Sequence, residues 1–163
     1  MGSRGGPKIS IFIPMEPYIQ PLEVRWSDLD PNFHLRHSVY YDYGAYVRIS
    51  FLETHGITTA FMAKNHFGPI LFREECVFKR EIRLGDAITI DMQLLRARED
   101  QSRWTIQHRI FKKANEMAAI LTLDGAWIDT QQRKLTVPPV EVKDLFEHMP
   151  RADNFEWINN VTT

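Results

Sequence analysis

Apolar and polar residues alternate along most of the chain after residue 69, and a period of two predicts half-buried β-strands. In the first such stretch, 69–84, apolar residues occupy positions of one parity: Phe72, Cys76, Phe78, Ile82 and Leu84. The next two place on one face Ile88, Ile90, Met92 and Leu94, and then Trp104, Ile106, His108 and Ile110. Residues 117–129 are more continuously apolar, as in a central strand. Because short turns separate these stretches, we predict antiparallel pairing of consecutive strands.

Residues from Ser38 to about His55 have helical periodicity instead. Ser38 is the expected N-cap, and Gly56 can end the helix. Gly44 costs such a helix about 1 kcal/mol relative to alanine, and we interpret it as a sign of close packing against a sheet. Because apolar side chains occupy most of the circumference, we expect other structure to enclose the helix. These side chains are Val39, Tyr40, Tyr43, Tyr46, Val47, Ile49, Phe51 and Leu52.

Shorter elements complete the predicted architecture. Two β-prone segments, 8–14 and 22–28, precede the long helix and are separated by prolines. Further helices are expected near 58–64 and, after Pro138 and Pro139, near 142–148. One apolar helix followed by a run of strands is best buried by wrapping the sheet around the helix. The sequence therefore predicts an α+β fold, an antiparallel sheet around a central helix.

Composition and charge narrow the class of protein. The chain has 163 residues, 44% of them apolar and 25% charged, which fits one ordinary globular domain. A net charge of −1 with scattered Lys and Arg argues against a nucleic-acid-binding surface. No apolar run reaches the roughly 18–20 residues of a membrane helix. Residues 1–8 are expected to form a flexible tail, whose Gly, Ser and Arg content is compatible with a vector origin, and 9–163 to form the domain.

Several titratable residues lie outside any motif. The one cysteine, Cys76, excludes an internal disulfide and favours a reducing cytoplasm. His66 and His108 are interpreted as structural. Glu74 shares the apolar parity of its strand, so it needs a partner if it is buried. We expect an ion pair with an arginine, and a second site carboxylate is the alternative.

The stretch Ser27–Arg48 crowds polar groups against the start of the predicted helix. The first N–H groups of a helix have no intrahelical partner, and the helix dipole favours negative charge there. The stretch is therefore a candidate reaction site. Asp28 is interpreted as a structural turn or cap residue. A metal site formed by Asp30, His34 and His37 is a weak alternative, because no zinc-type ligand spacing is present.

The sequence VRWSDLDPNFHLRHSVYYDYGAYVRISFLETHG resembles the opening of the hotdog-fold acyl thioesterases. These are the relatives of 4-hydroxybenzoyl-CoA thioesterase and of the plant acyl-ACP thioesterases. The resemblance covers roughly Leu22 to Pro139 and includes the turn Arg83–Asp86, "RLGD". It implies a hotdog fold for this chain.

The resemblance also implies catalytic roles for three residues. Asp30 matches the carboxylate of the Asp-x-Asp-Pro motif and would act as general base or nucleophile. Asn32 and His34 fit the Asp-x-Asn-x-His spacing of the plant enzymes, and they would position water or hydrogen-bond the thioester carbonyl. The Glu-Cys pair of the plant enzymes is represented by Glu81 and Ile82, which argues against a cysteine nucleophile.

The start of the predicted helix would supply the remaining chemistry. Thioester hydrolysis passes through an oxyanion, and backbone N–H groups are suitable donors to it. The expected donors are the amides near His37, Ser38 and Val39. Together with Asp30, they would act on one bound thioester.

The resemblance predicts an acyl-CoA thioesterase that uses neither cofactor nor metal and assembles as a homodimer or a dimer of dimers. The alternatives are an acyl-ACP thioesterase, a hydratase or dehydratase of the same fold, and a non-catalytic acyl-binding module. The acyl group is not predicted. The aromatic residues of the helix would suit aromatic or medium-chain acyl groups, but they serve a packed core equally well.

Overall fold

A computed structural model describes residues 15–158, which form one sheet and three α-helices. Its elements are β1 (Tyr18–Leu22), α1 (His37–Thr54), α2 (Thr59–Lys64), β2 (Phe67–Phe78), β3 (Ile88–Ala97), β4 (Arg103–Lys112), β5 (Glu116–Asp129), β6 (Lys134–Leu135), α3 (Val140–His148) and β7 (Arg151–Trp157). The predicted tail, 1–8, and the β-prone segment 8–14 lie outside the described residues.

The strands lie in the order β1-β3-β4-β5-β2, and every neighbouring pair in this path is antiparallel. The predicted inward faces of β3 and β4 are confirmed, since all eight residues are at most 3% exposed. Strand β6 pairs with the end of β5, and β7 runs parallel to β3. The α+β architecture predicted from the alternation is therefore confirmed.

Helix α1 lies against the sheet and buries one stripe of side chains. Gly44 lies at a close approach of the two surfaces. A Cβ at Gly44 would lie 3.1 Å from Arg48 Nη1, 3.2 Å from Leu121 Cδ2 and 3.3 Å from His108 Cδ2. The prediction of close packing at this glycine is confirmed.

Two expectations for α1 need correction. The helix begins at His37 with Arg36 as the N-cap, not at Ser38, and the Ser38 hydroxyl accepts a hydrogen bond from Arg36 Nε at 3.0 Å. The helix is also not enclosed all round in the single chain, because Tyr46 is 54% exposed. Its C-terminal end is as expected, since Gly56 has a positive φ of 83°.

Strand β2 is shorter and more exposed than its alternating pattern predicts. It ends at Phe78, and a register shift between Leu71 and Arg73 interrupts the alternation. Phe72 and Phe78 are 54% and 51% exposed. A bulge shifts which side chains face the core, and β2 is the edge strand of the path.

The ends of the described chain also differ from expectation. The first strand is Tyr18–Leu22 rather than 22–28, and it includes Pro21, which an edge strand tolerates. Strand β7 was not predicted. Within β7 only Ala152 is buried, so the strand has no strong alternation to reveal it. The two short helices lie near their predicted positions, and α3 begins at Val140.

Candidate active site

The loop before α1 is fixed by a buried carboxylate. Asp28 is 3% exposed and accepts hydrogen bonds from Arg25 Nη2 at 2.9 Å and Arg25 Nε at 3.0 Å. These bonds and the charge of Arg25 hold the pKa of Asp28 below its usual value, against the opposing effect of burial. The Asp28 carbonyl also accepts the Arg36 amide at 2.8 Å. Asp28 thus has the structural role predicted for it, and it anchors the start of α1.

Asp30 closes the tight turn that follows. Its Oδ1 accepts the amides of Asn32 at 2.9 Å and His34 at 3.1 Å. Its own amide donates to the His34 carbonyl at 2.8 Å, and Phe33 has a positive φ of 62°. Within residues 15–158, no hydrogen bond is made to Oδ2. One carboxylate oxygen therefore holds the loop, and the other remains available.

An open cleft of about 400 Å³ lies between this loop, the first turn of α1 and the segment that follows β2. The residues that line it include Asp30, His34, His37, Tyr40, Phe78 and Glu81. The structure therefore brings three of the predicted site residues, Asp30, His34 and His37, to one cavity. Asn32 is exposed and does not line this cleft, although its amide supports Asp30.

A histidine–carboxylate pair forms one wall of the cleft. His34 Nε2 lies 2.8 Å from Glu81 Oε2, and the other oxygen of Glu81 pairs with Arg83 Nη2 at 2.7 Å. The backbone holds the pair together, because the Leu35 amide donates to the Ile82 carbonyl at 2.7 Å. Sequence reasoning connected Glu81 with the plant enzymes but did not include it among the site residues. The partial match to a Glu-Cys motif was the only signal for it.

The start of α1 offers fewer free amides than expected. The Val39 amide donates to the Arg36 carbonyl at 2.9 Å. In the part of the chain that the structure describes, the amides of His37 and Ser38 have no acceptor. The open donors at this helix end are therefore His37 N and Ser38 N, and His37 lines the cleft.

Tyr40 is a cleft residue that sequence reasoning missed. The sequence pattern indicates only that it belongs to the apolar surface of the helix. Its ring is 3% exposed and packs edge-on against Phe78, with 5.0 Å between ring centroids. Burial raises the pKa of Tyr40 to about 12, so its hydroxyl stays protonated near neutral pH.

A partly buried polar network crosses from α1 to the sheet. Arg48 Nη1 lies 3.1 Å from Glu74 Oε1 and 3.3 Å from His108 Nε2. His108 Nδ1 lies 2.9 Å from the Asp91 carbonyl, so the neutral ring donates from Nδ1 and accepts at Nε2. The ion pair predicted for Glu74 is confirmed, and His108 is buried as a structural residue. No part of this network lines the cleft.

Cys76 is unsuited to nucleophilic attack. Its side chain is half-buried against the core. Burial, with a smaller effect of Glu74, raises the pKa of the Cys76 thiol to about 12. Since the thiolate is the nucleophile, this position fits the inference that the site does not use cysteine.

Two further observations concern residues 15–158 alone. No helix in this range is both long enough and apolar enough to cross a membrane. No group of three or more His, Cys, Asp or Glu side chains there could hold a metal ion. The cytoplasmic location stays a prediction.

Comparison with known families decides the family. The model of the thioesterase-like superfamily matches residues 24–146, which include the loop, the cleft and most of the sheet. The chain belongs to the thioesterase-like superfamily. This confirms the predicted family, and it makes thioester hydrolysis the reaction class that the family supports.

Individual relatives agree with this membership. The chloroplastic acyl-acyl carrier protein thioesterase ATL3 of Arabidopsis thaliana is 27% identical over 153 residues, 93% of this chain and 76% of that protein. The hypothetical protein SAV2348 of Staphylococcus aureus, solved in complex with CoA, superposes with a TM-score of 0.76 at 15% identity, over 86% of this chain and 90% of that chain. The 1,4-dihydroxy-2-naphthoyl-CoA thioesterase Slr0204 of Synechocystis superposes with a TM-score of 0.72 at 14% identity, over 80% of this chain and 96% of that chain. These structures confirm the predicted hotdog fold.

Proposed function

We propose that this thioesterase-superfamily chain hydrolyses an acyl-CoA thioester in the cleft at the start of α1. One observation carries the proposal. Asp30 with its free carboxylate oxygen, the His34–Glu81 pair and His37 line one cavity, and the open amides of His37 and Ser38 lie in the first turn of α1 that borders it. Base, orienting group and oxyanion donors are the parts that acyl transfer requires.

Asp30 acts in one of two ways. As a general base, it takes a proton from a water molecule while the water oxygen bonds to the thioester carbon. As a nucleophile, its oxygen bonds to that carbon and displaces the thiolate, and water then hydrolyses the mixed anhydride. In both routes the C–S bond breaks and the sulfur leaves as a thiolate that gains a proton.

The other residues serve the same steps. The amides of His37 and Ser38 receive the developing oxyanion, and one such donor is commonly worth about 10²–10³ in kcat. His34, oriented by Glu81, donates the proton to the leaving sulfur. Asn32 acts through its amide, which holds Asp30 Oδ1 at 2.9 Å. Val39 does not donate to the oxyanion, since its amide is already bonded to Arg36.

A homodimer would complete the site. The edge strand β2 exposes Leu71, Phe72, Val77 and Phe78, each 42–54% accessible to solvent. An exposed apolar edge strand invites pairing with a second sheet. Phe78 also lines the cleft, so a partner paired along β2 would lie beside the catalytic residues and the bound CoA. A dimer of dimers is the larger assembly of the same kind.

An acyl-ACP substrate is the second candidate. The plant relative with 27% identity is an acyl-acyl carrier protein thioesterase. Both carriers present the same phosphopantetheine thioester, so the cleft chemistry would be unchanged. Matched acyl-CoA and acyl-ACP substrates, compared by kcat/KM, distinguish the two.

The decisive experiment measures thiol release from a panel of acyl-CoAs with varied acyl groups, aromatic ones included. Asp30→Asn should abolish release, whereas Asp42→Asn, on the exposed face of α1, should retain it. No release from any acyl-CoA or acyl-ACP would contradict the proposal. Hydration of an enoyl-CoA would then indicate a hydratase, and binding without turnover an acyl-binding module.

Isotope labelling separates the two roles of Asp30. A single turnover in ¹⁸O-water is followed by digestion and mass spectrometry of the peptide that contains Asp30. Label in that carboxylate identifies the nucleophilic route, because a general base never bonds to the acyl group. Label confined to the released acid is the outcome that the general base requires, and it also arises if water attacks the acyl carbon of the anhydride.

A further inference from the structure

A second cavity lies beside the C-terminal half of α1, and the chemistry of the cleft does not use it. Its volume is about 180 Å³, and α1, β2, the inner face of the sheet and α3 enclose it. Ala45, Ile49, Leu71, Trp104 and Trp127 are among the residues that line it. We refer to it as the apolar pocket. Arg48 is its one charged lining residue among those described, and Glu74 neutralises it at 3.1 Å.

One stripe of α1 runs from the cleft to the apolar pocket. Residues four apart lie on the same face of a helix, and His37, Tyr41, Ala45 and Ile49 have this spacing. His37 lines the cleft, whereas Ala45 and Ile49 line the pocket. The two cavities also share strand β2, with Phe78 at the cleft and Leu71 at the pocket. An acyl chain that leaves the cleft between this stripe of α1 and strand β2 is therefore directed toward the pocket.

The dimensions set the length of such a chain. His37 and Ala45 are eight positions apart, which is about 12 Å along a helix axis. An extended chain advances about 1.2 Å per atom, so about ten carbons span this distance. An engineered apolar cavity of about 150 Å³ holds benzene, so the pocket takes roughly six further carbons. Along α1 the total is about 16 carbons, and along β2, where seven positions or about 23 Å separate Phe78 from Leu71, it is about 25.

The C-terminal segment supplies the far wall of the pocket. Phe146 and Met149 line it, and they are 3% and 0% exposed. Phe146 packs on Trp127 and Trp104, with centroid distances of 5.6 and 6.2 Å. The family match ends at residue 146. Phe146 is thus the last matched residue, and Met149 lies just beyond the matched region.

We propose that the apolar pocket receives the distal end of a long-chain acyl group, and that Phe146 and Met149 limit its length. The proposal rests on the proposed thioesterase function and adds the substrate class. An extended chain places its polar thioester among the donors of the cleft and its terminal carbons among the apolar residues of the pocket. Shorter acyl groups react in the cleft without reaching the pocket.

The first test narrows the mouth of the pocket without touching the core. Ala45 is an exposed helix residue, so Ala45→Phe should fold, and its ring should occupy the entrance. Ala63→Phe is the matched control, on an exposed position of α2 away from the pocket. For Ala45→Phe we expect kcat/KM to fall about tenfold or more with palmitoyl-CoA, the loss of roughly two buried methylenes, and to be unchanged with hexanoyl-CoA. Equal losses on both substrates, or no loss on either, would overturn the proposal.

The second test enlarges the far end. Phe146→Leu should move the preferred chain length upward by about one or two carbons, because the smaller side chain frees space at the wall. Phe155→Leu makes the same change in β7, at a residue that does not line the pocket, and should leave the preference unchanged. An unchanged profile in Phe146→Leu with a folded protein would contradict the assignment of the wall.

A binding measurement separates this proposal from the proposed reaction. Trp104 and Trp127 line the pocket, so a thioether analogue of palmitoyl-CoA with a terminal bromine should quench tryptophan fluorescence. Ala45→Phe should remove this quenching, and Ala63→Phe should retain it. Quenching by the analogue, with no hydrolysis of palmitoyl-CoA itself, would contradict the thioesterase function but support the pocket. Hydrolysis without quenching would overturn the pocket and keep the function.

Discussion

His34 and Glu81 form an imidazole–carboxylate pair of 2.8 Å between two segments that are far apart in the sequence. His34 comes from the loop before α1, and Glu81 from the segment after β2. An isolated backbone bridge between His34 and Arg83 fixes the two segments side by side. The pair can therefore orient the His34 ring toward a substrate without help from a second subunit.

Loss of the Glu81 carboxylate should impair catalysis more than binding. In Glu81→Gln the imidazole loses its negative partner, and we expect kcat to fall by roughly 10²-fold, the lower end of the range for a positioned acid–base group. KM should change little. Steady-state kinetics on the preferred acyl-CoA provide the measurement.

The control for this variant is Glu75→Gln, which removes an exposed carboxylate of β2 whose partner is Arg73. It should retain full activity. Wild-type kcat in Glu81→Gln would show that His34 needs no carboxylate. A loss of folded protein, checked by circular dichroism, would instead make Glu81 structural.

Cys76 should be dispensable. Because burial raises the pKa of its thiol to about 12, the reactive thiolate is scarce at neutral pH. We expect Cys76→Ala to retain activity, and the native protein to react slowly with iodoacetamide at pH 7. Full alkylation should follow unfolding in urea. If iodoacetamide alkylated Cys76 rapidly in the native protein, and if this abolished the release of thiol from acyl-CoA, a cysteine nucleophile would be supported instead.

The fold was largely predictable because most of its strands have one buried face. In β3 and β4 every second side chain is almost wholly buried, so alternation in the sequence reports the register. At β2 the same reasoning failed. Its bulge changes the parity after Leu71, Phe72 is 54% exposed at the sheet edge, and Phe78 contacts Tyr40 on the cleft side while 51% of it stays exposed.

The candidate site was predictable only as far as it is local. Asp30, His34 and His37 follow one another in the sequence, and short-range motifs place them at the start of a helix. Glu81 joins them through a tertiary bridge, which no pattern in one segment reports. Tyr40 was hidden for a different reason, since an aromatic residue on an apolar helix face is indistinguishable from a core residue.

His108 should make the protein less stable in acid. Burial, and then the charge of Arg48, lower the pKa of His108 to about 3, whereas an unfolded histidine titrates near pH 6.5. Below that pH the unfolded chain gains a proton that the folded one does not. The contribution of neutral His108 to the free energy of unfolding is therefore fully present above about pH 6.5. It falls by up to about 1.4 kcal/mol per pH unit toward about pH 3.

Urea denaturation at several pH values between 4 and 7 measures this dependence. His108→Gln should be less stable throughout, because it disturbs the network, but its free energy of unfolding should depend less steeply on pH. His66→Asn changes an exposed histidine with a φ of 53°, a conformation that asparagine tolerates. It should keep the wild-type slope. Equal slopes in His108→Gln and wild type would refute the explanation.

Gly125 should be the least replaceable glycine of the sheet, because Trp104 occupies the space beside it. A Cβ at Gly125 would lie 2.2 Å from Trp104 Cη2, closer than any real contact. We expect Gly125→Ala to lower the free energy of unfolding by about 1–3 kcal/mol, the usual cost of overpacking. Adding Trp104→Phe should recover part of this loss.

Gly44→Ala is the matched comparison. Its three nearest contacts, at 3.1–3.3 Å from Arg48, Leu121 and His108, are all longer than the 2.2 Å contact at Gly125, and alanine favours the helix by about 1 kcal/mol. The change should therefore cost less than Gly125→Ala in thermal and urea denaturation. Because Trp104 also lines the apolar pocket, Gly125→Ala should weaken palmitoyl-CoA binding, whereas hexanoyl-CoA turnover should persist in the folded fraction. If Gly125→Ala were as stable as wild type, the packing of Trp104 against β5 would be wrong.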